Sequence, residues 1–132
     1  YEEKHEFLEV CRSHGVDLIS MIAPTSRDRI RMIAREAEGF LYCVSSLGVT
    51  GVRASISDQI SEIIALAREE CDVPCAIGFG ISTPEQAAAM GAVADGAIVG
   101  SAIVKIIEQY GAQAPAKVGA YVREMKNALR GL

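Results

Sequence analysis

The sequence predicts an α/β fold with a parallel sheet, assembled from four βα units behind one leading helix. Two observations carry this. Short apolar runs alternate with longer segments of helical period along the chain, the order that parallel strands joined by crossover helices require. The runs are continuously apolar instead of alternating in polarity, as strands covered on both faces should be. With 132 residues, 50% hydrophobic and 23% charged, the chain is long enough to bury such a core. Residues 1–132 read as a single structural unit with no linker and no low-complexity tract.

Each element has its own signal. Phe7, Leu8 and Cys11 form one apolar stripe on a helix ending near Gly15. Strands are expected at 18–23, 40–44, 74–77 and 96–99. Ile30, Ile33, Ala34 and Ala37 recur at helical period after the first strand, as do Ile60, Ile63, Ile64 and Ala67 after the second. The third helix opens with Thr83 as N-cap, Pro84 at the first helical position and Gln86 completing a capping box, and closes at Gly91. The fourth begins at Ser101, directly after Val99-Gly100, and a final helix carries Val118, Tyr121, Val122, Met125 and Leu129 on one face.

The net charge of −4, with Lys and Arg scattered among acids, offers no basic face for nucleic acid. No apolar run approaches the roughly 18 residues of a membrane span, and the N-terminus is unlike a signal peptide, so the chain is expected in the cytoplasm. Cys11, Cys43, Cys71 and Cys75 show neither a CxxC pair nor a histidine at ligand spacing, and read as reduced, small packing residues. No metal site or cofactor motif is expected. The chain starts at Tyr1 without an initiator methionine and in mid-element, which predicts a piece of a longer protein.

In a parallel α/β protein the ligand sits beyond the carboxyl ends of the strands. There the chain places Pro24-Thr25-Ser26, Ser45-Ser46, Gly78-Phe79-Gly80 and Gly100-Ser101, with no acid directly after any strand. Glycines let backbone approach a ligand, and helix N-termini add free N–H groups and partial positive charge. Gly51, Gly80, Gly100 and Ser101 therefore read as candidates for one phosphate seat, against the alternative of ordinary tight turns. The polar segment from Ser45 to Ile56, with Gly48 and Gly51, reads as a lid. His5 and His14 read as solvated surface groups, Asp58 and Glu62 as partners of a helix N-terminus, and Lys105 as a surface lysine. Arg53 is open between meeting the anion and solvating the loop.

The segments FLYCVSSLGVTGVR, AIGFGISTPEQAAAM and DGAIVGSAIVKIIE closely resemble the carboxyl-terminal half of the tryptophan synthase alpha-subunit family. That resemblance implies a (β/α)8 TIM barrel, of which this chain supplies the family's fourth helix and its strands five to eight. It implies a lyase that cleaves indole-3-glycerol phosphate to indole and glyceraldehyde 3-phosphate. It also implies that Gly51, Gly80, Gly100 and Ser101 hold the phosphate, that Tyr42 and Phe79 line the indole and glycerol end, and that Thr50 belongs to the closing loop. Ser46 departs from members that carry an arginine there.

The family's general acid/base glutamate and its partner aspartate fall upstream of Tyr1, so the isolated chain is expected to be inactive. A beta subunit is implied as partner, and its pyridoxal phosphate finds no binding residue here. Two other readings stay open: another barrel enzyme acting on a phosphorylated metabolite, such as a phosphoribosyl isomerase, and a half-barrel that binds phosphate without turnover. Open outer strands predict that the chain self-associates.

Overall fold

The computed structural model describes residues 2–45, 53–78 and 80–131, with the backbone alone at 53–57. After a 3-10 turn, the order is α1 (His5–Ser13), β1 (Ser20–Ile22), α2 (Arg27–Arg35), β2 (Leu41–Val44), α3 (Arg53–Arg68), β3 (Cys75–Gly78), α4 (Pro84–Gly91), β4 (Gly96–Ala97), α5 (Ser101–Tyr110) and α6 (Ala114–Arg130). The strands form one parallel sheet in sequence order, β1-β2-β3-β4. Each expected strand is present; β1, β2 and β4 are shorter than their apolar runs, and β3 lies one position later than expected, at Cys75–Gly78.

The register explains the continuous hydrophobicity. Ser20, Leu41 and Cys75 align in one row, and Ile22, Cys43, Ile77 and Ala97 in another. These rows face the helices, packing with Ile30, Ile33 and Ala34 of α2, Ile60, Ile63, Ile64 and Ala67 of α3, and Ala87 and Met90 of α4. The intervening row, Met21, Tyr42, Ala76 and Gly96, lies on the opposite face, where Met21 is exposed and Tyr42 and Ala76 are half-buried. All four cysteines are free thiols, with Cys43 and Cys75 buried.

Three expectations need correction. Helix α3 begins at Arg53, so residues 53–56 are helical and the loop after β2 is shorter than the expected lid; Ile56 continues the spacing of Ile60, Ile63 and Ala67. Asp58 and Glu62 consequently lie inside α3, too far from its start to meet the dipole. Glu62 instead pairs with Arg27 of α2, in a ladder continued by Arg31 with Glu69 at 2.9 Å and Arg35 with Glu70 at 2.7 Å. Finally, Phe7 of α1 and Val122 of α6 are exposed, whereas Met125 is buried and Tyr121 and Leu129 pack on the core.

The amino end of β4 is fastened by Asp95. Its carboxylate accepts the Cys75 N–H at 2.8 Å and meets Arg68 at 3.1 Å, while its own N–H donates to the Cys75 carbonyl at 2.9 Å. That leaves the carboxyl ends of the strands to the glycines.

Candidate functional site

Strands β2, β3 and β4 end on a common mouth. Ser45, buried after β2, donates from both its N–H, at 3.1 Å, and its hydroxyl, at 3.0 Å, to the Gly78 carbonyl at the end of β3. Ile98 donates its N–H to the Ile77 carbonyl at 2.7 Å, carrying the β3–β4 pairing to the same level. Tyr42 sits on the face shared with Gly78, and its ring occupies the space that a Cβ at 78 would need.

The two helices that start at this mouth are built differently. At α4 the capping box is complete: Gln86 N–H donates to Thr83 Oγ1 at 3.2 Å, and Gln86 Oε1 accepts the Thr83 N–H at 3.2 Å and the Ser82 N–H at 2.9 Å. The amides of Ser82, Thr83 and Gln86 are thus engaged by the protein itself. At α5 the N-cap is Gly100, which has no side chain to offer; its carbonyl accepts the N–H groups of Ile103 and Val104. The positive end of the α5 dipole and its first amides therefore face the mouth without a side-chain cap. The glycines differ as well. Gly80 has φ +76°, a conformation that disfavours a side chain. A Cβ at Gly100 would meet nothing within 4 Å, so packing does not require glycine there.

Between these elements lies a cleft of about 510 Å³. Tyr42 and Ile98 form its apolar wall, and Gly80, Ser82, Gly100 and Ser101 its polar rim. Lys105, one helical turn beyond Ser101, also lines it and is the one charged lining side chain among the described residues. The structure thus brings together Tyr42, Gly80, Gly100 and Ser101 of the expected site. Thr50, Gly51 and Phe79, with Ser46, lie outside the described residues, and Arg53 is described by its backbone at the start of α3. Gly78, Ser45 and Ser82 add structure that the sequence reading did not assign to the site, although the first glycine of GFG was a visible signal. Lys105 is exposed as expected, yet its position at i+4 from Ser101 places it on the cleft side of α5.

A second cleft, of about 490 Å³, lies at the opposite edge between α1 and β1, lined in part by Phe7, Ile19, Met21 and Arg29. Arg29 is already held by Glu2 at 3.0 Å. This second cleft has no glycine among its lining residues.

Four parallel βα units with a glycine-rimmed cleft at the carboxyl ends of their strands define a chain of the (β/α) barrel class. Its relatives are more specific. The family model for the tryptophan synthase alpha chain matches residues 1–130, and the chain belongs to that family. It is 48% identical over 130 residues to the tryptophan synthase alpha chain of Geobacter sulfurreducens, covering 98% of this chain and 48% of that one. With the Lacticaseibacillus casei alpha chain it shares 42% identity over 129 residues, covering 98% and 48%. Among solved structures, tryptophan synthase subunit alpha from Campylobacter jejuni superposes with a TM-score of 0.84 at 27% identity, over 95% of this chain and 50% of that one. Tryptophan synthase from M. tuberculosis in its aminoacrylate-bound form gives 0.77 at 25% identity, over 97% and 46%. The chain spans about half the length of the relatives it matches, and its four parallel strands with their helices correspond to half of their TIM barrel.

Proposed function

We propose that this chain is the phosphate-holding, carboxyl-terminal half of a tryptophan synthase alpha-type lyase, which acts in tryptophan biosynthesis and cleaves indole-3-glycerol phosphate to indole and glyceraldehyde 3-phosphate. The observation that carries the reading is the cleft in which the uncapped start of α5 faces Gly80 and Tyr42. A phosphate monoester suits that geometry: Gly100 and Ser101 offer N–H groups and the Ser101 hydroxyl, the α5 dipole favours negative charge, and Tyr42 supplies an apolar surface for the remainder of the substrate. Phe79, Thr50 and Gly51 are assigned by family resemblance to the aromatic wall and the closing loop.

Cleavage of the carbon–carbon bond in this substrate requires proton transfer at the indole and at a glycerol hydroxyl, by groups within hydrogen-bond reach. Among the described residues, no carboxylate lines the cleft. The proposal therefore assigns binding and orientation to residues 1–132, acting as one structural unit, and the acid/base steps to residues outside this sequence. A tryptophan synthase beta subunit is the proposed partner in the cytoplasm. Alone, the chain is proposed to self-associate through its two open strand edges, β1 and β4.

An indole-release assay on the purified 132-residue chain, run beside binding of indole-3-glycerol phosphate, tests this division of labour. Binding without indole above the buffer control is the expected result. Turnover that disappears in Tyr42→Phe overturns it, since a proton donor would then have to lie within these residues.

A further inference from the structure

The last helix reaches the candidate site. Tyr121 of α6 donates its hydroxyl to the Ser82 carbonyl at 2.5 Å, a contact between residues 39 positions apart. Ser82 is part of the cleft rim, and its N–H is held by Gln86 Oε1 at 2.9 Å. Both backbone polar groups of Ser82 are thus engaged, one by α4 and one by α6. Ile81, beside it, is anchored in the core. Upstream stands Gly80 at φ +76°, the residue type with the greatest backbone freedom to lose on ordering.

We infer that Tyr121 is a positioning residue for the anion seat: by holding the Ser82 carbonyl it fixes the turn after β3, so that the Gly80 side of the cleft keeps its place opposite the start of α5. This rests on the phosphate reading above. A turn ordered in advance avoids the entropic cost of ordering it around the ligand, and affinity rises by that difference. The Tyr121 ring packs against the core cluster, and burial pushes its phenol pKa up, which keeps it a donor across the neutral range. Phenylalanine preserves the packing and removes only the hydroxyl, so the hydrogen bond can be tested apart from the helix.

The experiment titrates the 132-residue chain with inorganic phosphate, following amide chemical shifts at Gly80, Ser82 and Ser101, in wild type, Tyr121→Phe, Leu129→Val and Gly100→Asp. Leu129→Val thins the packing of α6 without touching Ser82, and thermal midpoints are recorded for all four. Tyr121→Phe is expected to shift the Gly80 and Ser82 amides of the free protein and to weaken phosphate binding about three- to tenfold, the span of one neutral hydrogen bond, while Leu129→Val binds as wild type. If Gly100→Asp weakens binding and Tyr121→Phe does not, the inference falls and the phosphate reading stands. Equal weakening by Leu129→Val and Tyr121→Phe also overturns it, because helix stability alone would then account for the effect. If the wild type shows no phosphate response in the cleft, the phosphate reading falls and this inference falls with it.

Discussion

Tyr42 lies across Gly78. A Cβ at position 78 would stand 2.5 Å from Tyr42 Cζ and 2.8 Å from Cε1, closer than side-chain atoms pack. Gly78 is therefore a packing requirement of the aromatic wall, and its carbonyl at the same time anchors Ser45. One glycine organises two of the three strand ends around the cleft.

Gly78→Ala should displace the Tyr42 ring and destabilise the fold by about 1–3 kcal/mol, the usual cost of overpacking. In a Tyr42→Ala background the same substitution should cost less than about 0.5 kcal/mol, since the clash has been removed. Urea denaturation of the four proteins completes this cycle. Additive effects would show that the ring and the glycine do not compete for space.

Substitution of Gly80 should be read first in stability, and substitution of Gly100 in ligand binding. Gly80→Ala places a side chain at φ +76° and should cost about 1 kcal/mol of stability before any ligand is considered. Gly100→Ala projects into open space and should leave stability within about 1 kcal/mol of wild type. Gly100→Asp should keep the fold by circular dichroism yet weaken glycerol phosphate binding about tenfold or more, by repulsion and by loss of a charge-assisted hydrogen bond. Calorimetric affinities equal in wild type and both Gly100 variants would mean that Gly100 serves only the chain.

Lys105 occupies the second turn of α5 and lines the cleft. An anion at the helix start would lie within reach of its charge. Lys105→Gln should weaken glycerol phosphate binding several-fold at low ionic strength, with the difference shrinking at high salt as screening sets in, and Lys105→Arg should retain most of the affinity. A salt-independent loss, or none, would remove Lys105 from the site.

Asp95 sets an acid limit on the fold. The Cys75 N–H, and then Arg68, hold its carboxyl below the usual aspartate value, which is about 3.9 in an unfolded chain. A carboxyl with a depressed native pKa contributes stability above that value and loses it as pH falls through the native pKa. Wild type should accordingly lose urea resistance below about pH 4 more steeply than Asp95→Asn. Parallel acid limbs would show that Asp95 does not carry this dependence.

The fold was legible because the physics that makes it is local. The apolar runs around Leu41 and Ile77 marked the strands, although only one face packs on the helices and Tyr42 and Ala76 on the other are half-buried, and Thr83-Pro84-Glu85-Gln86 encodes a helix start that the structure reproduces bond for bond. The start of α3 differs from the expectation because Arg53-Ala54-Ser55-Ile56 is polar enough to pass for loop, although Ile56 stands at helical spacing before Ile60 in the sequence. In the site, Gly80, Gly100 and Ser101 could be marked by their place after strands. The roles of Ser45, Gly78 and Tyr121 could not, because each depends on a partner at least 33 positions away.

The uncapped start of α5 and the Gly80 turn are together proposed to hold a phosphate. Titrating the 132-residue chain with glycerol 3-phosphate, and separately with glycerol, while following amide chemical shifts tests it most directly. Gly80, Gly100, Ser101 and Ala102 should shift together with glycerol 3-phosphate and stay still with glycerol. Shifts confined to the cleft between α1 and β1, or identical responses to the two compounds, would contradict it.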